Sequence, residues 1–241
     1  GLDIIVNQGG TINHAVKSMR WPGVAAVEVA LVTLTKQPWK GKFILAGKEV
    51  ITITPYLDDA DTLGNPYPLK ANEGKSFQGS IVLGKGFVLE PKEAEALIVK
   101  NKNNKDVLFP YIIGDDLNNS PDQNPSRWVI NFFDWTEERS KTYYECFGIL
   151  ERLVKPVRQK DNRKSYREIW WQYAEKRRNL YNTISTLDKI MAVSQATKYV
   201  QPIWINSCHV YDQALILFAF SEKKYFTVLN STLHTLFAEK E

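Results

Sequence analysis

The stretch NRKSYREIWWQYAEKRRNL, from Asn162 to Leu180, interleaves basic and aromatic residues. Apolar residues recur at helical spacing within it and beyond it: Tyr166, Ile169, Trp170, Tyr173, Leu180, Tyr181, Ile184, Leu187 and Met191. This spacing predicts one long amphipathic helix from about Arg163 to Met191, roughly 40 Å in length at 1.5 Å per residue. Trp170 would lie on its apolar face, and Trp171 nearer the boundary with the charged face.

The positive charge of the chain is concentrated around this stretch. Between Arg152 and Arg178 there are ten Lys and Arg residues and three Asp and Glu residues, whereas the whole 241-residue chain has 31 and 27. A basic helix face is usually just solvated, but this one would have few acidic residues at the spacing that forms ion pairs along a helix. We therefore favour contact with the phosphates of a polyanion over a merely solvated face.

Composition narrows the class of protein further. With 44% hydrophobic residues, the chain can bury the core of one large domain, or of one domain and part of another. Two cysteines, Cys146 and Cys208, are too few and too far apart for a disulfide framework or a zinc site, which fits a reducing cytoplasm. No apolar run approaches the roughly 18 residues of a membrane span. The chain begins at Gly1, without Met or a signal sequence, so we expect a processed or excised piece of a cytoplasmic protein.

The N-terminal part is predicted to form a small sheet. Alternation in AAVEVALVTLT, residues 25–35, predicts a strand, and residues 41–57 predict a hairpin that turns at Ala46 to Lys48. From Asp58 to Gly79 the composition shifts to Asp, Asn, Pro, Gly and Lys, which is typical of a linker. A domain boundary is therefore expected near residue 60.

The remainder mixes helices and strands, which predicts an α+β fold. Pro91 is expected at the first position of a helix, and residues 126–134 form a strand. Asp134 and Glu137 have the spacing of a capping box that opens a long helix, which Pro156 would interrupt. Further strands are expected over residues 198–205, 214–220 and 224–230, before a final helix capped by Asn230 or Ser231.

The sequence contains no strong match to a catalytic, nucleotide-binding or metal-binding motif. GKGF at residues 84–87 lacks the spacing of a nucleotide-binding loop and is interpreted as a turn, with Lys85 able to reach a phosphate. Asp58, Asp59 and Asp61, followed by Glu73 and Lys75, have the order of a metal-dependent nuclease core, but in loop-like sequence. His14, His209 and His234 have no metal-ligand spacing, and Asp115 and Asp116 fit a loop or helix cap better than a cation site. We therefore predict no catalytic residue and no metal site.

An order of motifs nevertheless resembles a known family. The motifs are SMRWPGVAAVEVALVTLTK (18–36), GSIVLGKGFVLEPKEAEALI (79–98), DVLFPYIIGDDL (106–117), SRWVINFFDW (126–135), LVKPVR (153–158), REIWWQYAEKRRNL (167–180) and FTVLNSTLHTLFAEK (226–240). Together they resemble the C-terminal part of large bacterial N6-adenine DNA methyltransferases. These are the MmeI-like (type IIG/IIL) restriction-modification enzymes and the related methyltransferases of phage-defence systems.

The resemblance implies two parts. Residues 1–60 resemble the last strands of a methyltransferase domain, a remnant of its mixed sheet, and residues 61–241 resemble an α+β target recognition domain with two long helices. Such enzymes bind S-adenosylmethionine and methylate a flipped adenine. This chain departs from the family because it has no Asn/Asp-Pro-Pro-Tyr/Phe motif and no glycine-containing cofactor loop. We therefore expect no cofactor in this chain, no methylation by it alone, and double-stranded DNA and the remaining methyltransferase domain as partners.

The resemblance also implies roles for polar residues. Contacts to the DNA backbone are expected from Lys85, Arg158, Arg163, Lys164, Arg167, Lys176, Arg177 and Arg178, and base reading from Gln195, Lys198, Asn206 and His209. Ordinary surface polarity is the alternative for the four base-reading candidates. A protein-interaction module with a basic helix, and less favoured a metal-dependent nuclease, remain alternatives for the chain as a whole.

Overall fold

The computed structural model describes residues 1–59 and 69–240 and divides the chain into two units, Gly1–Pro68 and Leu69–Glu241. The predicted boundary at residues 60 and 61, and Asp61 of the acidic cluster, lie outside the described residues. The roles that the resemblance gives to the two parts stay predictions.

The first unit is a four-stranded sheet preceded by a short helix. Its elements are α1 (Leu2–Asn7), β1 (Thr11–Arg20), β2 (Glu28–Thr35), β3 (Phe43–Leu45) and β4 (Lys48–Val50), and its strand order is β2-β1-β3-β4. The predicted hairpin is confirmed: Ala46 and Gly47 both have positive φ, 49° and 81°, as a tight turn matched to twisted strands requires. The sequence did not predict β1, the partner of β2.

The second unit contains two four-stranded sheets. One has the order β10-β9-β12-β5 and the other β11-β7-β8-β6. The strands are β5 (Ser76–Gln78), β6 (Val88–Leu89), β7 (Leu108–Ile112), β8 (Arg127–Ile130), β9 (Lys189–Ser194), β10 (Ile203–Asn206), β11 (Val210–Tyr211) and β12 (Leu215–Phe218). β9 and β10 pair antiparallel, and β11 pairs parallel with β7.

Short helices complete the second unit. They are α2 (Pro91–Lys100), α3 (Gly114–Asn119), α4 (Glu137–Lys141), α5 (Tyr144–Leu153), α6 (Lys155–Arg158), α7 (Lys164–Glu168), α8 (Arg178–Ile184), α9 (Lys223–Leu229) and α10 (Thr232–Lys240). Pro91 opens α2, with a reciprocal cap between Glu90 and Glu93. The α+β class is confirmed. The two long helices are wrong, since in the described residues no helix exceeds ten residues.

The predicted helix from Arg163 to Met191 is replaced by α7, an irregular segment, α8 and the start of β9. The reason is burial. Trp170, Trp171 and Tyr173 are 3%, 7% and 4% exposed, and adjacent residues of a continuous helix, about 100° apart, cannot all face one core. Leaving the helix lets the chain bury all three aromatic rings. Trp171 Nε1 then donates a 3.0 Å hydrogen bond to the carbonyl oxygen of Trp135.

Three other local predictions are corrected or confirmed. Thr136, not Asp134, caps α4, because its hydroxyl accepts from the backbone N–H of Arg139 at 3.3 Å. Residues 224–230, predicted as a strand, fall largely in α9. Ser231, one of the two predicted caps of the final helix, accepts from the backbone N–H of His234 at 3.2 Å.

Two apolar clusters hold the second unit together. The first includes Phe87, Ile130, Leu150 and both Trp170 and Trp171. The second lies under α8 and the β10-β9-β12-β5 sheet and includes Leu180, Ile190, Tyr211, Leu215 and Leu217. The first unit has its own smaller cluster of Ile12, Ala15, Ile53 and Leu57.

Candidate nucleic-acid interface

A cleft of about 470 Å³ opens on the second unit where three segments meet. The residues after β8 form one wall, the segment leading into α8 forms another, and the turn between β10 and β11 forms the third. The lining includes Asn131, Phe133, Asp134, Tyr173, Lys176, Arg178, Tyr181, Asn182, Ser207, Cys208 and His209. Three of the predicted DNA contacts, Lys176, Arg178 and His209, therefore share one site.

The wall after β8 is shaped by a local hydrogen bond. The side-chain oxygen of Asn131 accepts from the backbone N–H of Phe133 at 2.8 Å, and Phe133 adopts the left-handed conformation with φ of 51°. Its side chain stays 40% exposed at the cleft. Because a bulky residue rarely takes this conformation, the local structure must hold it there.

Charge in the cleft is organised around Asp134. Lys176 Nζ and Arg178 Nη2 each lie 2.7 Å from Asp134 Oδ1. Partial burial raises the pKa of Asp134, but the hydrogen bonds from the two cations outweigh burial, so its pKa is lowered overall. Lys176 also donates to the side-chain oxygen of Gln172 at 2.6 Å. The carboxylate is thus ionised and holds both cations at the cleft.

The turn between β10 and β11 presents His209. Burial lowers the pKa of its imidazole, which favours the neutral ring with one donor and one acceptor nitrogen. His209 Nδ1 lies 3.9 Å from Cys208 Sγ. Asn206 stabilises the turn, since its side-chain oxygen accepts from the backbone N–H of Cys208 at 3.1 Å and its carbonyl accepts from the Tyr211 hydroxyl at 2.6 Å.

The four base-reading candidates are divided between two places. Asn206 pairs with Lys189 at one end of the β9–β10 hairpin, whereas Gln195 and Lys198 follow β9 at the other end. Five residue steps along β9 separate the two ends by about 17 Å. Gln195 donates to the carbonyl of Gln213 at 2.8 Å, and the Lys198 ammonium lies 5.1 Å from the Tyr199 ring centre. His209 therefore lines the cleft, and Asn206 immediately precedes the turn that lines it, whereas Gln195 and Lys198 lie at the other end of the hairpin.

Arg158 does not fit its predicted role as a phosphate contact. It is only 2% exposed, and its guanidinium donates to the carbonyl oxygens of Leu83, Val82 and Gln172 at 3.0, 2.9 and 3.2 Å. The motif LVKPVR marked it as basic, but nothing in one sequence shows that the side chain turns inward. Arg158 is a buried cross-link between segments of the second unit.

Two further residues that are predicted to contact the DNA backbone form hydrogen bonds within the protein. Arg167 donates to the carbonyl oxygens of Asp161 and Asn162 at 2.6 and 3.0 Å. Arg177 donates to Gln78 Oε1 at 2.7 Å and to the carbonyl of Gly79 at 3.2 Å. Both side chains are half-buried and already carry structural hydrogen bonds.

The remaining predicted cations are exposed. Arg163 and Lys164 lie at the start of α7, and Lys85 lies in a 3₁₀ turn over residues 85–87. Lys164 pairs loosely with Glu168, at 3.6 Å, although both side chains are more than 60% exposed. Few acidic partners were expected along this helix face, and Lys164 has one, Glu168, four residues later. Lys176 and Arg178 pair instead with Asp134, which lies outside the basic segment.

The proposed nuclease carboxylates are not assembled by the described residues. Asp58 accepts from the Thr54 hydroxyl at 2.7 Å within the first unit, and Glu73 and Lys75 belong to the second unit. Across residues 1–59 and 69–240, no three His, Cys, Asp or Glu residues are grouped as metal ligands, and no helix could cross a membrane. Asp116 accepts from the backbone N–H groups of Ile113 and Ser126, which is the predicted capping role.

Sequence reasoning missed several cleft residues. Asp134 was interpreted as a helix cap, and Phe133, Asn182, Ser207 and Cys208 were not singled out. The one available signal is position: Asp134 follows directly on the strand-like run SRWVINFF, where a polar residue at the end of a strand can line a site. Its pairing with residues more than 40 positions later has no sequence signature.

Comparison with known proteins identifies a solved structure with a similar fold. No family model and no curated protein matches the chain. Among solved structures, the type IIL restriction-modification enzyme MmeI in complex with DNA matches with a TM-score of 0.69 and 15% identity. The match covers 96% of this chain and 32% of the MmeI chain. The chain thus has the fold of part of a restriction-modification enzyme.

Proposed function

We propose that this chain is the DNA-recognition fragment of a bacterial N6-adenine DNA methyltransferase or restriction-modification protein. The second unit would be the target recognition domain, and the first unit the last strands of the methyltransferase domain. The observation that carries the proposal is the fold shared over 96% of the chain with MmeI, a protein solved in complex with DNA. Because the sequence identity to MmeI is 15%, we argue function from the residues in and around the cleft.

Charge distribution supports DNA as the partner. Residues 1–68 contain six Lys and Arg and six Asp and Glu residues, so the net charge of +4 belongs to the second unit. Arg163, Lys164 and Arg178 offer exposed cations there. Phosphate contacts of this kind supply affinity and set register without reading sequence.

The polar groups of the cleft suit base reading. Asn206 and His209 lie on one turn, and Asn182 faces the same cleft. Amide side chains and neutral imidazoles present donors and acceptors together, which is what base edges in the major groove require. We therefore assign base reading to the β10–β11 turn and backbone contact to the exposed cations near α7 and α8.

The described residues of the first unit do not fit S-adenosylmethionine. In the described part of the first unit, Gly9 and Gly10 follow α1 and precede β1, the reverse of the strand–loop–helix order in which a glycine loop faces a nucleotide. We therefore derive no methyl-transfer step for this chain. The cofactor and the catalytic motif would belong to the rest of the parent protein.

Selection of duplexes from a random-sequence pool at two salt concentrations tests the proposal. We expect an enriched short motif and binding that weakens as salt rises. Binding without a motif would remove sequence recognition from this chain, and no binding even at low salt would favour a protein partner. A variant with Arg163→Ala and Lys164→Ala should bind all duplexes more weakly. Lys92→Ala with Lys102→Ala, two exposed lysines outside the basic segment, is the charge-matched control.

A further inference from the structure

Two cations of the cleft converge on one oxygen atom. Lys176 Nζ and Arg178 Nη2 both lie 2.7 Å from Asp134 Oδ1, at the distance of charge-assisted hydrogen bonds. The Asp134 and Arg178 side chains remain 45% and 64% exposed, so solvent and solutes reach the pair. The cluster keeps a charge of +1 and is open to a second anion.

The backbone on both sides of this cluster is held in an uncommon conformation. Phe133, immediately before Asp134, has φ of 51°, and Arg177, between the two cations, has φ of 53°. Neither is a glycine, and each is anchored by side-chain hydrogen bonds, Phe133 through Asn131 and Arg177 through Gln78. Conformations of this kind persist only where surrounding contacts enforce them, and they cluster at functional sites. The chain therefore holds the carboxylate and the two cations in register.

We propose that the Asp134 carboxylate occupies the position of a DNA phosphate oxygen and is displaced by that phosphate when the duplex binds. A phosphodiester oxygen accepts the same donors at the same distances as a carboxylate oxygen. The inference rests on the proposed function, since it needs DNA at this face. It assigns Asp134 a role that the two cations alone do not have.

Displacement has a consequence for specificity. A carboxylate pushed off its cations remains beside the incoming phosphate, and like charges repel. Every duplex meets this opposition, but only one whose bases also bind the neighbouring turn of Asn206 and His209 gains contacts that offset it. Asp134 therefore lowers the affinity for every duplex, so that stable binding requires the additional base contacts of a matching sequence.

Asp134→Asn tests the inference because it removes the charge and keeps the shape. We expect affinity for a random-sequence duplex to increase roughly five-fold at low salt, as loss of one nearby like charge predicts. The slope of log affinity against log salt should become steeper by about 0.9, equivalent to one more phosphate contact. Glu168→Gln is the control, since it removes one exposed carboxylate that pairs with a lysine elsewhere in the basic segment. An equal gain in Glu168→Gln would show a general charge effect and overturn the inference.

A second measurement does not depend on the folding of the variant. Carbon-13 NMR of the Asp134 carboxyl in the wild-type chain should show a higher pKa with a duplex bound than without. In the complex, Lys176 and Arg178 bind the phosphate and no longer stabilise the carboxylate. An unchanged pKa in a saturated complex would overturn the inference while the proposed function stands. Absence of binding by wild type and by Asp134→Asn at low salt would instead overturn the proposed function.

Discussion

Arg158 donates a hydrogen bond of 3.2 Å to the carbonyl oxygen of Gln172, in the irregular segment between α7 and α8. The same guanidinium donates to the carbonyl oxygens of Val82 and Leu83 at 2.9 and 3.0 Å. Burial lowers its pKa, although an arginine stays charged at any physiological pH. One buried cation thus ties α6 and the irregular segment after α7 to the residues at Val82 and Leu83, about 75 positions earlier.

Replacing Arg158 with alanine should reduce the free energy of unfolding by about 3 kcal/mol, because three carbonyl oxygens lose a buried donor. Arg158→Lys should recover only part of this loss, since one ammonium group cannot match the planar fork of the guanidinium. Urea denaturation measures both effects, with exposed Arg163→Ala as a control expected within about 0.5 kcal/mol of wild type. Unchanged stability with weaker DNA binding in Arg158→Ala would restore the predicted phosphate contact.

Sequence patterns predicted those elements of the fold that depend on residues close together in the chain. Alternation identified the strand that ends at Thr35, a Gly turn identified the hairpin at Ala46 to Lys48, and Pro91 marked the start of α2. The helix predicted from Arg163 to Met191 failed because its apolar spacing is also satisfied by an irregular segment that buries Trp170 and Trp171 together. Periodicity reports which side chains seek the core, and it does not report whether the backbone stays helical to bring them there.

The candidate site was predictable only as a list of residue types. The family resemblance implies DNA contacts for Lys176, Arg178 and His209, and the fold brings these three residues to one cleft. The capping role predicted for Asp134 is wrong, because a carboxylate can cap a helix or form an ion pair and the fold places it beside Lys176 and Arg178. The role predicted for Arg158 is also not supported. Its charge suggests an exposed side chain, but the fold buries it and satisfies it with backbone carbonyl oxygens.

The two cysteines should differ sharply in reactivity. Cys146 is fully buried, and burial raises the pKa of its thiol to about 12, whereas Cys208 is exposed in the cleft. Native protein treated with a maleimide should therefore carry a single label at Cys208, located by peptide mass spectrometry, and unfolded protein should carry two. Cys208→Ser should remain unlabelled under native conditions. Labelling of Cys146 in the folded chain would contradict its burial.

Bound DNA should protect Cys208 if the cleft is the interface. We expect a duplex carrying the selected motif to slow maleimide labelling of the wild-type chain, because Cys208 shares the cleft with Lys176 and Arg178. An unrelated duplex at the same low salt concentration gives the reference rate. Equal labelling with and without the bound motif would place the DNA elsewhere on the second unit.

Acid should destabilise the chain partly through His209. Burial lowers the pKa of His209 in the folded state below its ordinary value of about 6.5. The unfolded chain then binds more protons than the folded chain as pH falls through this range, so the stability contributed by neutral His209 is complete above it and lost below it. Urea unfolding at pH 7.5 and 5.0 should show a smaller loss in His209→Asn than in wild type. His14→Asn is the matched histidine control, and an equal loss in all three proteins would exclude this role for His209.

Substitutions at a base-reading residue and at a phosphate-contacting residue should have different effects on DNA binding. Asn206→Asp keeps the acceptor for the backbone N–H of Cys208, so the turn is preserved, but it replaces an amide donor with an acceptor. We expect it to change the preferred base at one position of the selected motif, with discrimination of about 1–3 kcal/mol. The added negative charge should also weaken binding to every duplex. Arg163→Ala should weaken binding to every duplex equally and flatten the salt slope by about 0.9.

Gln195→Ala and Lys198→Ala provide the comparison for this division, since both residues lie at the far end of the β9–β10 hairpin. Selection from a random pool with each variant should return the wild-type motif, because neither residue reaches the cleft. A new preference in either one would mean that the read sequence extends along the hairpin. A uniform loss of affinity from Asn206→Asp, with the motif intact, would remove base reading from the β10–β11 turn.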